Sequence, residues 1–348
     1  MNRPVKKLTL LTASAAGIGL VLRNRARQRA RISFSGKSIV ITGGSRGLGL
    51  VLARQLGDEG ARLALLARDE EELESAKVEL RLRGAEVMTL VCDIRDRGQL
   101  ESALDRVVRR YGEINILINN AGIIKVGPME HMSIEDFKET MNVHFWAPLY
   151  ATWHVLPGMR AKGAGRIVNI TSIGGKIAVP HLLPYTASKY ALVGLSDGLR
   201  SELSKENIYV TTVVPGLMRT GSHVNAWFKG RHRQEYTWFS MFSSLPVTAT
   251  AAERAAQQII EACRYAVPEI IITPQARLLV AAEHLFPKLT AAGMKLMDRF
   301  LPKRHPRRGE QAYLGLESQS GLSPSALTSL GDQAALDNNQ IREGQRFL

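Results

Sequence analysis

Short apolar runs alternate with amphipathic segments along most of the chain. The apolar runs are strand-like and comprise Ser38–Thr42, Arg62–Ala67, Val87–Cys92, Ile114–Asn119, Arg166–Thr171, Tyr209–Val214 and Glu269–Thr273. Most are continuously apolar, which is typical of parallel strands covered on both faces. The intervening segments have helical spacing and include Gly49–Glu59, Glu70–Arg83, Gln99–Tyr111 and Ser133–Gly158. The alternation predicts one doubly wound α/β domain over residues 36–275, a parallel sheet with helices on both faces.

The N-terminal arm, residues 1–35, has a different composition. Residues 8–22 form an apolar run between Lys6 and Lys7 and the basic block Arg23–Arg31. Fifteen helical residues span about 22 Å, which is shorter than a hydrocarbon core of roughly 30 Å. Three interpretations stay open: a membrane anchor that spans or lies in the interface, a disordered or packed arm, and a signal peptide. A spanning helix would keep the main domain cytoplasmic, because the larger positive block follows it.

Two further segments follow the predicted domain. Residues 276–302 are apolar and rich in Ala, Leu and Met, which favours a helical extension that packs on the domain, a partner subunit or lipid. Residues 303–348 begin basic and become rich in Ser, Gly, Asn and Gln. That composition predicts a mostly disordered polar tail, with Leu327 and Leu330 as apolar points that dock locally.

The net charge of +14 raises the question of nucleic-acid binding, and its distribution argues against it. Residues 1–35 hold eight Lys and Arg and no acid, whereas residues 301–348 hold six basic and five acidic residues. The basicity therefore belongs mainly to the arm, where it favours an anionic membrane surface. Cys92 and Cys263 form no metal motif or disulfide framework, and the histidines have no metal-ligand spacing, so no metal is expected.

A glycine-rich loop follows the first strand and precedes a helix. The loop reads Thr42-Gly43-Gly44-Ser45-Arg46-Gly47-Leu48-Gly49. Glycines at 43, 47 and 49 permit a tight turn and close approach to a pyrophosphate, which the helix N-terminus would bind through its free N–H groups. The loop predicts a dinucleotide site.

The end of the second strand bears on which dinucleotide binds. An acidic residue there would hold a ribose 2′-hydroxyl, but the chain has Ala67 followed by Arg68. Arg46 and Arg68, two guanidinium groups without a carboxylate, suit a 2′-phosphate. We therefore expect NADP(H) rather than NAD(H), with Asp69 as the residue that a one-residue shift would bring to the ribose.

Other candidate cofactor residues follow later strands. Asp93 ends the third strand, where it can meet the adenine edge, and Asn119, Ala121 and Gly122 end the fourth. Pro215, Gly216 and Thr220 follow the sixth strand, where a loop can cover the nicotinamide carboxamide.

The candidate chemistry lies in residues 165–192. Ser172 follows a buried strand, and Tyr185 and Lys189 are four residues apart in a helix-like segment, which places them on one face. A free phenol has a pKa of about 10, and a neighbouring positive charge lowers it. We expect these three side chains to transfer a proton to or from a carbonyl or alcohol.

With these residues in order, the chain resembles the short-chain dehydrogenase/reductase family, in its NADP(H)-preferring type. The resemblance rests on TGGSRGLG at 42–49, Asp93, NNAG at 119–122, Asn142, Ser172, YTASK at 185–189 and PGLMRT at 215–220. It covers residues 36–275 and implies a Rossmann-type sheet of seven strands. It also implies the catalytic tetrad Asn142, Ser172, Tyr185 and Lys189.

The resemblance implies a role for each member of the tetrad. Tyr185 would exchange the proton, Lys189 would lower its pKa and bind the nicotinamide ribose, and Ser172 would polarise the carbonyl. Asn142 would hold a water that links Lys189 to solvent.

Residues 217–247, which we call the lid segment, bear on the substrate. Aromatic residues lie there beside cations: Trp227, Phe228, Tyr236, Trp238, Phe239 and Phe242 with Arg219, Lys229, Arg231 and Arg233. They favour a hydrophobic carbonyl substrate of acyl, steroid-like or retinoid-like type, and the cations can bind a phosphopantetheine or CoA phosphate. An equal alternative is that the aromatics only pack the lid and the cations only face water.

We therefore expect an NADP(H)-dependent oxidoreductase acting on a ketone or secondary alcohol, cytoplasmic or attached to the cytoplasmic face of a membrane. The family implies a homo-oligomer, a dimer or tetramer. The alternatives are a non-catalytic dinucleotide sensor or scaffold and an NAD-linked alcohol dehydrogenase of the same fold.

Overall fold

The computed structural model describes residue 28 and residues 30–304 and 310–341. Its centre is a seven-stranded parallel sheet. The strands are β1 Ser38–Thr42, β2 Arg62–Ala67, β3 Glu86–Val91, β4 Ile116–Asn119, β5 Gly165–Ile170, β6 Ile208–Pro215 and β7 Glu269–Ile272. Their order across the sheet is β7-β6-β5-β4-β1-β2-β3, and every neighbouring pair is parallel. The predicted fold is confirmed, with strand ends displaced by one or two residues.

The strand order reverses beside β1, which pairs with β2 on one side and with β4 on the other. The connections from these two strands leave toward opposite faces, so a crevice opens at their carboxyl ends. The glycine loop after β1 and the NNAG sequence after β4 both lie at that crevice.

Helices cover both faces of the sheet. They are α1 Gly47–Asp58, α2 Glu70–Leu82, α3 Arg97–Tyr111, α4 Ile134–Met141, α5 Ala147–Lys162, α6 Leu183–Leu203, α7 His232–Ser244 and α8 Ala252–Arg264. One apolar core lies between the sheet and α1 and α8, with Leu52 and Ile259 fully buried. The other lies beneath α3 and α5, with Leu104 and Val155. Both faces are thus sealed, which explains why most strands read as continuous apolar runs.

The predicted helical extension consists of α9 Pro274–Leu285 and α10 Pro287–Asp298. Each begins with Pro, whose fixed φ and missing N–H suit the first turn. The pair leaves large apolar side chains exposed, namely Leu278, Leu279, Leu285, Phe286, Leu289, Leu296 and the following Phe300. Three packing partners were predicted for this extension: the domain, a partner subunit and lipid. The domain does not cover these side chains.

The prediction of a mostly disordered tail is wrong for residues 310–341, which we call the C-terminal segment. It contains a strand, Tyr313–Leu314, a 3₁₀ turn, Gly315–Ser318, and helix α11, Ser329–Asp337. Leu327 and Leu330 stay half exposed, so they are not its main docking points. The segment packs through small residues instead. Its Ala335 lies so close to Gly221 that a Cβ added at Gly221 would be 2.2 Å from the Ala335 Cα.

The predicted membrane anchor, residues 8–22, lies outside the described residues. Within the part of the chain that the structure describes, no helix is long and apolar enough to cross a membrane.

A buried charge cluster joins α4 to the lid segment. Asp136 accepts from Lys125 Nζ at 2.7 Å and from Lys229 Nζ at 2.5 Å, and all three residues are buried. Lys125 also pairs with Glu139. Asp136 additionally accepts from the Ser133 N–H in a capping box at the start of α4. These partners hold the pKa of Asp136 far below its usual value despite its burial.

We expect Asp136→Asn to destabilise the protein by about 3 kcal/mol or more, because buried Lys229 would lose its carboxylate and buried Lys125 would keep only Glu139. Urea unfolding measures the loss. Asp58→Asn is the matched control, since Asp58 pairs with Arg83 where both side chains are exposed, and it should cost less than about 1 kcal/mol. Equal losses in the two variants would contradict a structural role for the buried cluster.

Candidate active site

The glycine loop brings β1 and β4 into close contact. Gly43 has a φ of +64°, and a Cβ there would lie 2.9 Å from the Cα of Ala121. A Cβ on Gly49 would lie 2.0 Å from the Gly43 carbonyl oxygen. The Thr42 hydroxyl accepts from the N–H groups of Asn120 and Ala121 at 3.0 and 3.1 Å. Only glycines therefore permit this turn, and Thr42 fixes it against the end of β4.

Gly47 and Leu48, at the start of α1, line a cleft. No described residue accepts a hydrogen bond from the N–H of Leu48. The cleft measures about 600 Å³ and runs from Arg68 and Asp93 past Gly47 to Tyr185 and Lys189. A free amide at a helix N-terminus beside an elongated cleft fits a dinucleotide pyrophosphate.

Most predicted cofactor residues line this cleft. They are Gly43, Ser45, Arg46, Gly47, Leu48, Arg68, Asp93, Ala121, Gly122, Tyr185, Lys189, Pro215, Gly216 and Thr220. Thr42, Gly49 and Asn119 do not line it. Asn119 is buried and donates to Asn169 at 2.8 Å, and Asn169 donates to Ser196 at 2.7 Å. Asn119 therefore braces β4 against β5 and α6.

The far end of the cleft carries the two predicted arginines. Arg68 is exposed, whereas Arg46 pairs with buried Glu72 at 2.8 Å. Glu72 also accepts from the Ser45 hydroxyl at 2.9 Å. Asp69 caps α2 by accepting from the Glu72 N–H at 3.0 Å. Glu72 was not predicted from the sequence, because it is one of three glutamates in the first turn of α2, where acidic residues are common.

Ser172, Tyr185 and Lys189 meet at the other end of the cleft, as predicted. Ser172 caps a 3₁₀ turn by accepting from the Gly174 N–H at 3.0 Å, and it hydrogen-bonds the Tyr185 phenol. Lys189 Nζ lies 5.6 Å from the centre of the Tyr185 ring and donates to the Ile170 carbonyl at 2.9 Å. The strand end and one face of α6 thus converge on one point.

The predicted direction of the tyrosine pKa is wrong for this structure. Burial raises the pKa of Tyr185 above its usual value, and the Ser172 hydrogen bond only partly offsets this. Burial also lowers the pKa of Lys189 to about 7, because no described carboxylate compensates its charge. The site therefore holds a protonated phenol beside an amine that changes charge near neutrality.

A buried histidine, which the sequence analysis missed, supports the tyrosine. His144 accepts from the Ile123 N–H at Nε2, at 3.1 Å, and contacts the Ser188 hydroxyl through Nδ1 at 2.7 Å. Ser188 donates to the Tyr185 carbonyl at 2.8 Å, so His144 must donate from Nδ1. Its ring also meets the Tyr185 ring edge-on at 5.4 Å. Burial and Lys189 lower the pKa of His144, which keeps it neutral.

Asn142 stays a prediction. It begins a π-helical turn, Asn142–Trp146, between α4 and α5, and its carbonyl accepts from the Ala147 N–H. Its side chain is exposed and does not line the cleft. The same turn contains His144, whose Nδ1 contacts the Ser188 hydroxyl.

The lid segment largely follows the packing alternative. Phe228, Tyr236 and Phe239 are buried together with Val126 and Ala226, and only Trp227 among the predicted aromatics lines the cleft. Lys229 is held by Asp136, and Arg219 donates to the Ala249 carbonyl. Each of these two cations already has a protein partner, which favours the alternative that they do not bind a substrate phosphate.

Comparison with known proteins agrees with this arrangement. The family model for short chain dehydrogenase matches residues 37–229, more than half of the chain. The chain belongs to the short-chain dehydrogenase family. It is thus an oxidoreductase, and the matched region contains the glycine loop and all members of the predicted tetrad.

Two curated relatives and one solved structure illustrate the similarity. A granaticin polyketide synthase putative ketoacyl reductase from Streptomyces violaceoruber is 41% identical over 183 residues, covering 52% of this chain and 67% of the relative. The putative oxidoreductase SadH from Mycobacterium tuberculosis is 31% identical over 268 residues, covering 75% and 96%. A metagenomic short-chain oxidoreductase crystallised with NADP is 27% identical with a TM-score of 0.57, covering 70% of this chain and 99% of that one.

We expect Lys189→Met to change the pH dependence of stability. The pKa of Lys189 is about 7 in the fold against an ordinary 10.5, so the unfolded chain binds more protons between these values. Wild-type stability should therefore fall as the pH drops from about 10 to about 7, and the methionine variant lacks this contribution. The difference in Tm, variant minus wild type, should be more positive at pH 7 than at pH 10.

Thermal unfolding across this pH range measures the difference. Lys288→Met, at an exposed lysine, is the matched control. A difference in Tm that stays constant with pH would show that Lys189 is not desolvated as described.

Proposed function

We propose that the protein is an NADP(H)-dependent ketoreductase of a hydrophobic or acyl-type ketone, acting by hydride transfer to the carbonyl. One observation carries the proposal: Ser172, Tyr185 and Lys189 converge at one end of a cleft whose middle is a glycine loop at a helix N-terminus. The named function of the ketoacyl reductase relative supports it.

The residues present fit a nicotinamide dinucleotide. The free N–H of Leu48 would hold the diphosphate, and Asp93 and Arg68 would flank the adenosine. Pro215 and Thr220 would hold the nicotinamide carboxamide. When bound, the nicotinamide supplies the hydride, and the protein supplies orientation and proton transfer.

The tyrosine serves as the acid. Its raised pKa keeps the phenol protonated, so Tyr185 can donate to the carbonyl oxygen of a substrate near neutral pH. The Ser172 hydroxyl, bonded to the same phenol, would donate a second hydrogen bond and stabilise the negative charge that develops on that oxygen.

Lys189 is suited to return the proton. An amine with a pKa of about 7 is both donor and acceptor at neutral pH. Lys189 lies beside the Tyr185 ring. Gly122 is also close to it, since a Cβ on Gly122 would lie 3.9 Å from Lys189 Nζ. We propose that Lys189 reprotonates Tyr185 after each turnover, in addition to orienting the cofactor ribose.

We expect Tyr185→Phe to lower kcat by about a thousandfold, because the acid is lost while the ring remains. The assay is NADPH oxidation with a panel of long-chain ketones. Tyr190→Phe is the matched control, since Tyr190 lies on the same helix but is exposed, and it should keep wild-type activity. Turnover that survives in Tyr185→Phe would contradict the assignment, and a wild type without turnover on any ketone would favour the sensor hypothesis.

The preference for NADP(H) is proposed from the adenosine end. Arg68 is exposed beside the cleft and free to meet a 2′-phosphate. Asp69, the residue that would favour NAD(H), caps α2 instead. Glu72 holds Arg46, so Arg68 carries more of the selectivity than the sequence suggested.

We expect Arg68→Ala to weaken NADPH binding by about tenfold, because a charged hydrogen bond to the phosphate is lost. NADH binding should change by less than about twofold, since NADH has no 2′-phosphate. Fluorescence titration of both cofactors measures the two constants. Arg83→Ala, at an exposed arginine that pairs with Asp58, is the control, and equal losses for NADPH and NADH in Arg68→Ala would contradict the assignment.

The substrate proposal rests on the apolar side chains that line the same cleft as Ser172 and Tyr185. They are Ile123, Ile124, Met218, Trp227 and Leu314. We therefore propose acyl, steroid-like or retinoid-like carbonyl compounds as the substrate class. The panel of ketones in the Tyr185 assay also tests this class, since activity confined to small polyols would exclude it.

A further inference from the structure

The C-terminal segment ends at the glycine loop. The Asn338 carbonyl accepts from the Gly47 N–H at 2.8 Å, at the first residue of α1. Asn339, with a φ of +54°, donates from its side-chain amide to the carbonyls of Ser45 and Glu72 at 3.0 and 3.1 Å. The segment thus contacts the loop through its backbone and through a left-handed Asn.

The segment is anchored on both sides of the cleft. On the α1 side, Arg54 donates to the Asn338 side chain at 2.8 Å and to the Asp337 carbonyl at 2.7 Å. On the lid side, buried His223 contacts Asp332 at 3.2 Å, and Asp332 accepts from Thr328 at 2.7 Å. These contacts make the segment a bridge between two walls of the cleft.

Gln340 is the residue that lies over the opening. It is only 7% exposed and lines the cleft. Its backbone carbonyl and its Oε1 both accept from the Asn225 side-chain amide, at 2.7 and 2.8 Å. Its Nε2 would lie 2.5 Å from a Cβ placed on Gly47, so the amide donor sits directly above the start of α1.

No described residue uses the donor capacity of this amide. Because Oε1 is fixed by Asn225, the orientation of the amide is determined, and no described residue accepts from Nε2. The nitrogen is not itself enclosed by the protein, so it is available to an acceptor that enters the cleft. It lies against Gly47 at the start of α1, next to Leu48, whose N–H is free, so an anion bound there would receive donors from the helix and from Gln340.

We propose that Gln340 is a cofactor-binding residue that donates to the dinucleotide diphosphate, and that residues 338–340 close the cleft over it. The inference rests on the proposed cofactor function, which it deepens. Residues 230–348 lie outside the matched family region, so this donor comes from a part of the chain that the family model does not include.

Closure also has a kinetic consequence. A cofactor beneath the bridge leaves only when contacts such as Asn225–Gln340 and Gly47–Asn338 open. The protein should therefore release its cofactor more slowly when the bridge is intact, and a variant without it should lose affinity chiefly through a faster off-rate.

The test uses the full chain and measures binding, not turnover. Gln340→Ala should weaken NADPH binding by about tenfold, and Gln340→Glu by about a hundredfold, because the carboxylate replaces a donor with a negative charge beside the diphosphate. Stopped-flow displacement of NADPH should show the off-rate rising in parallel. Gln333→Glu, on the exposed side of α11, is the matched control for the added charge and should change neither value appreciably.

A second probe separates the diphosphate from the rest of the site. Adenosine 2′-monophosphate has the 2′-phosphate but no diphosphate, so its affinity should be the same in wild type and in both Gln340 variants. This result also shows that the variants are folded. Wild-type NADPH affinity in Gln340→Glu, or tighter binding in Gln340→Ala, would overturn the inference and show a segment that is neutral or obstructive.

Failure of the proposed function gives a different result. A wild type that binds neither NADPH nor NADH would refute the cofactor proposal itself. Normal NADPH binding that is insensitive to Gln340 would refute only the role of the C-terminal segment.

Discussion

The site depends on one close approach, that of the backbone after β1 to the backbone after β4. Gly43 lies against Ala121, and the Thr42 hydroxyl accepts from two N–H groups of the β4 loop. These contacts fix the two strand ends at the place where the strand order reverses, which is where a parallel sheet opens a crevice. The helix N-terminus and the Tyr185 face of α6 acquire their relative positions from this frame.

Desolvation then decides the chemistry of the catalytic end. Burial raises the pKa of Tyr185 and lowers that of Lys189 to about 7, so the two values, which are close in water, move apart. The lysine ammonium is then the stronger acid of the two, which favours proton transfer from it to a tyrosinate. Neutral His144 supports the arrangement, because it hydrogen-bonds the Ser188 hydroxyl and adds no charge near Lys189. The polar neighbours of the site thus orient the phenol without changing the charge balance.

The fold and the meeting of Ser172, Tyr185 and Lys189 could be predicted from the sequence, because apolar periodicity and short spacing indicate them directly. Ser172 follows a strand, and Tyr185 and Lys189 share one face of the next helix, so local geometry was sufficient. Glu72, His144 and Gln340 could not be predicted in this way. Each acts through a partner distant in sequence, and each has a neighbourhood typical of an ordinary helix or polar tail. The wrong direction predicted for the Tyr185 pKa had the same origin. The spacing placed Lys189 beside Tyr185 but did not give the burial that dominates both pKa values.

The C-terminal segment shows why its composition gave a wrong prediction of disorder. Few large apolar residues predicted disorder, since such a chain buries little apolar area to offset its conformational entropy. Here glycines permit the packing, because they have no side chain. A Cβ on Gly331 would lie 2.1 Å from Ser244 Oγ, and one on Gly315 would lie 2.1 Å from the His223 carbonyl. Backbones that approach this closely replace apolar area with dispersion contacts and with hydrogen bonds such as Gly315 N–H to the Ala226 carbonyl at 2.9 Å. The Asn and Gln side chains, whose abundance predicted disorder, are then the groups that hydrogen-bond the segment to the cleft.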